Sequence, residues 1–166
     1  MLGKMQSLQD VNYRNLIKAL GEDTLVNMLS TTDMMANVNW SMLPLLTDLW
    51  KDLIKNILPQ LPDRVQKPYF FVDLADPEKR EDDEIIEALK MLKQFKNKFT
   101  VVLGLNKKEA YDVANVLDLF DDQSLKHMQI SLEDLNVRLQ EYLEIDCVVI
   151  HPVDRSCCVM NGEFYM

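Results

Sequence analysis

Glycine is scarce in this 166-residue chain: there are four, and no two stand in a G-x-G arrangement. A loop that wraps phosphate in its own N–H groups needs closely spaced glycines, so the chain carries no phosphate cradle of that kind. Cysteine is nearly as rare. Cys147, Cys157 and Cys158 form an odd set with two adjacent members, which speaks against a disulfide framework and reads as buried or half-buried thiols. His127 and His151 are isolated, and no Cys or His partner sits at zinc-ligand spacing. No apolar run approaches the roughly 18 residues of a membrane span, and the opening "MLGKMQSLQD" lacks the apolar segment of a secretory signal. The chain therefore reads as cytoplasmic, with no membrane partner. Lys and Arg number 18 against 27 Asp and Glu, a net charge of −9, which argues against nucleic acid as a partner. Local basic pairs, Lys107–Lys108 and Lys79–Arg80, read first as solvated faces.

What is present is a 48% hydrophobic chain of a length that suits one α/β domain spanning residues 1–166. Short apolar runs rich in Val, Phe and Tyr occupy 34–40, 68–74, 98–105 and 146–151, and the last three are nearly continuous, as in strands buried on both faces of a parallel sheet. Helical periodicity lies between them. Leu46, Leu49, Trp50, Leu53, Ile54 and Ile57 form one stripe behind Pro44; Ile85, Leu89, Leu92 and Phe95 form another. Further helices are expected over 107–117 and 132–143, the latter capped by Ser131, and two more, near 11–20 and 23–30, divided by Gly21. Residues 117–131 are the longest irregular stretch, with room for a short helical turn. Alternation of strand and helix predicts a three-layer α/β/α domain with a mainly parallel sheet and helices on both faces. Asn161–Gly162, between two apolar runs, predicts a C-terminal β-hairpin.

Ligands of open parallel sheets gather beyond the carboxyl ends of strands, so the residues there carry the candidate chemistry. In "VDLADPEKR", Asp73 closes a strand, Asp76–Pro77 forces a turn, and Arg80 can reach back. Two carboxylates with an arginine could bind sugar hydroxyls or phosphate, but a plain turn with Arg80 exposed explains the same residues. In "GLNKKEA", Asn106 and Glu109 satisfy helix-capping logic without any ligand. The alternative is that the helix start faces an anion, with Glu109 holding magnesium directly or through water. "VNWSM" places Trp40 under the next helix, with Ser41 and Thr47 able to bond a ligand, and "IHPVDRS" places His151 and Asp154 at a strand end. No nucleophile with a positioned base is visible.

Taken in order, "NWSMLPLLTDLW", "FFVDLADPEKR", "LGLNKKEA" and "VVIHPVDRS" resemble the central portion of a ribokinase-like (PfkB family) carbohydrate kinase, over nearly the whole chain. The resemblance implies an ATP-dependent enzyme that moves the γ-phosphoryl of ATP to a sugar hydroxyl with Mg2+, so its partners would be the sugar and ATP. It places the family's N-x-x-E motif on Asn106 and Glu109, near phosphate and metal, and sets Asp73, Asp76 and Arg80 near substrate or phosphate. Asp76 stands where the family has Asn, and the spacing to Arg80 is altered. The Thr-Leu-Gly-like nucleotide stretch is replaced by "IHPV", and the Gly-Ala-Gly-Asp segment with the catalytic base does not occur. The expectation is thus a fragment of a longer sugar kinase with no catalytic residue in this chain. A non-catalytic α/β binding or regulatory module is the rival reading, and a free sheet edge would allow a homo-oligomer.

Overall fold

A computed structural model describes residues 8–160 and 162–166. Helix α1 (Tyr13–Leu20) begins where the Asn12 side chain accepts the Asn15 N–H at 3.0 Å. It ends at Gly21, whose φ of 80° turns the chain directly into α2 (Glu22–Thr31). Strand β1 (Met34–Asn37) is shorter than its apolar run because Asn39 turns left-handed, φ 61°, and Trp40–Met42 tighten into a 3-10 turn. Next come α3 (Leu46–Asp52), a wider π turn at Leu53–Ile57, and β2 (Tyr69–Asp73). Then follow α4 (Asp82–Phe95), β3 (Thr100–Asn106) and α5 (Lys107–Val116). Helix α6 (Asp122–Lys126) is the short turn within the irregular stretch, before α7 (Leu132–Leu143). The chain finishes with β4 (Cys147–His151), β5 (Cys157–Met160) and β6 (Glu163–Tyr165). Among the described residues no helix is long and apolar enough to cross a membrane.

The strands lie in chain order, β1 to β6, with β1 to β4 parallel and β5 and β6 antiparallel. This is the expected α/β class, with the mainly parallel sheet and the hairpin in place. Asn161 of the expected hairpin turn lies outside the described residues; Gly162, at φ 78°, takes the left-handed conformation that such a turn demands.

Burial is unequal between the two faces of the sheet. Phe70, Val72, Val101, Leu103, Leu105, Val148 and Ile150 are completely buried, while their alternating neighbours Phe71, Val102 and Val149 are only half-buried. Alternation in strands sends successive side chains to opposite faces. One face is therefore roofed and the other is open among the described residues. Strand order explains this. Right-handed crossovers that always step in the same direction lie on the same face, and only a reversal of strand order would move a helix to the other.

The roofed face holds the core. Trp50, Phe70, Phe95 and Phe99 are buried at one end of it, with Phe70 and Phe95 ring centroids 4.5 Å apart and Trp50 edge-on to Phe70 at 6.1 Å. Such aromatic pairs add about 1 kcal/mol each beyond their burial. The three cysteines are free, and burial, reinforced by neighbouring Cys158, pushes the Cys147 thiol up to about 12, so it is inert at neutral pH.

Candidate functional site

The site is assembled where β2 and β3 end, side by side at the centre of the sheet. Register pairs Asp73 with Gly104 and Asn106 with His151. Paired residues share a face, and Asn106 lies two residues beyond Gly104, so Asp73, Asn106 and His151 stand on the same face at its carboxyl edge.

Asn106 is the last residue of β3 and the cap of α5. Its side chain accepts the Glu109 N–H at 2.9 Å while the Glu109 Oε2 accepts the Asn106 N–H at 2.9 Å, a complete capping box. Glu109 does more than close the box. It is a buried carboxylate, 6% exposed, and its second oxygen, Oε1, accepts the Asp76 N–H at 3.0 Å. One side chain therefore ties the loop after β2 to the start of α5.

That loop needs the tie. Ala75 and Asp76 are consecutive non-glycine residues at φ 54° and 56°, conformations that cost about 1 kcal/mol or more each. The Ser41 hydroxyl donates to the Ala75 carbonyl, the Ser41 N–H donates to Leu74 O at 2.9 Å, and Lys108 pairs with Glu78 on the same loop. Backbone held in sparsely populated regions by many partners is a feature of ligand-facing loops. Asp76–Pro77 does turn the chain away from the right-handed helical region, as the proline demands.

The structure separates the three residues grouped in "DLADPEKR". The Asp76 carboxylate pairs with Lys79 at 2.7 Å, which lowers its pKa, and stays exposed. Arg80 is not exposed, contrary to the plain-turn reading. Its guanidinium lies 4.6 Å over the Trp40 ring, binds Glu84 through Nε and Nη2 at 2.9 Å, and leaves Nη1 buried without a partner. Among the described residues no hydrogen bond or ion pair joins Arg80 to Asp73 or Asp76. Asp73 is half-buried; burial first, and the Glu109 charge second, raise its pKa, eased by the Ala75 N–H and by His151. Thr47, a candidate ligand contact, accepts the Trp40 indole N–H at 2.9 Å, and Trp40 is fully buried as expected. His151 is exposed, and Asp154 is paired with Arg155 at 2.8 Å.

The sequence reading missed the Glu109–Asp76 link and the left-handed pair, Ala75 and Asp76. The signal available was Pro77 following Asp76; the positive φ of Ala75 has no marker in the sequence.

Among the described residues no group of three or more His, Cys, Asp or Glu side chains could hold a metal by itself. Magnesium does not need one, since it commonly takes one or two carboxylates together with substrate phosphates and water. Asp73 fits that donor set: its carboxylate is destabilised by burial and a like charge, which a cation would relieve. Glu109 fits less directly, because each of its oxygens already accepts a backbone N–H.

The family model described as prokaryotic ketohexokinase matches residues 1–163, nearly the whole chain. The chain belongs to the prokaryotic ketohexokinase family. The ribokinase-like resemblance and this family agree on a carbohydrate kinase relationship. No curated protein sequence matches. A solved structure, the last common ancestor of ADP-dependent phosphofructokinases from Methanosarcinales, has a similar fold with a TM-score of 0.56 at 15% identity. The match covers 89% of this chain and 30% of that one, so the ketohexokinase-family chain spans under a third of that structure's length.

Proposed function

We propose that this chain supplies the phosphate-facing half of an ATP-dependent carbohydrate kinase, with a ketohexose as the sugar class suggested by the family. The observation that carries the reading is the Glu109 carboxylate, which locks the Asn106 cap to the strained Ala75–Asp76 loop beside Asp73. Four segments in order, the family match and the fold of a phosphofructokinase ancestor support it.

In this reading the free N–H groups at the start of α5 face phosphoryl oxygens, and Asn106 and Glu109 fix the direction in which they point. Asp73 is the direct carboxylate at the metal position, and Glu109 acts there through water. Magnesium, when bound with nucleotide, would neutralise phosphate charge. Arg80 and Asp76 serve loop geometry more than substrate contact. The residue that takes the proton of the sugar hydroxyl lies in a Gly-Ala-Gly-Asp segment of a longer chain, and the 166 residues alone do not turn over. A cytoplasmic enzyme follows from the same reading.

Calorimetry with magnesium and ATP, and in parallel with ADP, tests this on the 166-residue chain and on a longer natural chain bearing that segment. Binding to the longer chain, with sugar-dependent turnover and at least a tenfold loss in Asp73→Asn, is the expected result. Undiminished affinity in both Asp73→Asn and Glu109→Gln would return the site to a helix cap and favour the binding-module reading.

A further inference from the structure

Ser41, on the loop after β1, grips the loop after β2 twice. Its N–H donates to the Leu74 carbonyl at 2.9 Å, and its hydroxyl donates to the Ala75 carbonyl, 34 positions away. A trans peptide carries its N–H opposite its C=O, so two carbonyls turned toward Ser41 send the two N–H groups that follow them the other way. Those N–H groups meet acids. The Ala75 N–H faces the Asp73 carboxylate, and the Asp76 N–H donates to Glu109 Oε1 at 3.0 Å.

This arrangement accounts for the φ of 54° at Ala75. In extended backbone successive carbonyls point to opposite sides, whereas a helical conformation of either hand aligns them. Turning the Ala75–Asp76 peptide over would bring its carbonyl toward the Glu109 carboxylate and take away one of the two donors that hold that side chain. Ser41 is itself held. It is 8% exposed, in the middle of the Trp40–Met42 turn, and Trp40 beside it is fixed through its indole N–H to Thr47 and under the Arg80 guanidinium. Arg80 follows Ala75 on the same loop, so the loops after β1 and β2 clasp each other at two points. The single proton of the Ser41 hydroxyl is committed to Ala75, which leaves orientation of the loop, rather than donation to a ligand, as its role.

We propose that Ser41 is a positioning residue: it fixes the direction of the Leu74–Ala75 and Ala75–Asp76 peptides and, through them, aims the carboxylates of Asp73 and Glu109. What the carboxylates are aimed at, magnesium and phosphate, rests on the kinase reading above; the hold of Ser41 on the two peptides does not.

Amide hydrogen exchange on the 166-residue chain tests the hold. Ser41→Ala keeps the backbone bond to Leu74 and removes only the hydroxyl. It is expected to speed exchange of the Asp76 amide by at least about tenfold while the Val101 to Leu105 amides stay slow. Adding Ala75→Gly, which takes the left-handed conformation without strain, should restore most of that protection. In a longer natural chain bearing the Gly-Ala-Gly-Asp segment, Ser41→Ala should lower kcat at least about tenfold with the sugar KM within about twofold, because misaimed groups cost alignment rather than binding, and Ala75→Gly should return part of the loss. Unchanged exchange at Asp76 in Ser41→Ala overturns the inference. So does a loss of protection that spreads equally to Val101 to Leu105, which makes Ser41 a plain fold contact, or a raised KM at constant kcat, which makes it a substrate contact. Faster exchange confined to Asp76 and rescued by Ala75→Gly, in a protein whose longer chain phosphorylates no sugar, supports the hold and overturns the kinase reading alone.

Discussion

Glu109 serves two backbone donors from one buried side chain, and truncating it leaves both without partners. Unsatisfied part-buried N–H groups cost about 1 kcal/mol or more each, so Glu109→Ala should lose about 2 kcal/mol of stability, seen as a lower urea midpoint at constant slope. Asp73 behaves in the opposite sense. Its pKa in the folded state lies above the ordinary value, so the folded protein holds the proton more tightly than the unfolded chain. The stability this group contributes is fully present below the ordinary value of about 3.9 and is lost as pH rises through the raised one. Asp73→Asn is therefore expected to melt above the unsubstituted chain at pH 7, with the gap closing in acid, while, under the proposed kinase function, the longer chain's affinity for magnesium-nucleotide falls. A variant that gains stability and loses binding marks a residue kept for its charge.

At the scale of elements, the α5 cap and the centre of β3 make separate predictions. Asn106→Ala removes a cap acceptor and should cost about 1 kcal/mol, without the loop disorder that Glu109→Ala brings. Gly104→Ala forces the Phe71 ring aside and should cost about 1 to 2 kcal/mol, largely recovered in a Gly104→Ala, Phe71→Ala double variant measured as a cycle. Most elements were legible because periodicity and caps agreed: the stripe through Ile85, Leu89, Leu92 and Phe95 became α4, and Ser131 caps α7 by accepting the Asp134 N–H. The ends were less so. The stripe from Leu46 to Ile57 continues past the end of α3 as a π turn, since spacings of three and four cannot distinguish an inserted residue. Half of the site could be read. Asn106 and Glu109 announce a cap three residues apart, but the Glu109–Asp76 bond spans 33 positions, and nothing local records it.

At the scale of the molecule, strand order was the unreadable quantity. Continuous apolar runs in β2, β3 and β4 say that both faces avoid water; they do not say in which order the strands lie side by side. Hydrogen exchange should reflect the order directly. Amides of Val101 to Leu105, in the middle strands, should exchange slowest, and those of Glu163 to Tyr165, at the edge, fastest. Magnesium-nucleotide, where it binds, should slow exchange at Asp76 and Glu109 together, because one carboxylate holds both segments.

The sequential sheet also bears on how the protein is made. Each strand pairs with the one synthesised just before it, so every strand that leaves the ribosome finds its template already present and waits for nothing downstream. Contacts close over one βα unit at a time, which keeps loop-closure costs low for a parallel sheet. The nascent chain can thus grow by docking successive units onto a finished edge, with the link between Glu109 and Asp76 free to close once the first turn of α5 has emerged from the ribosome.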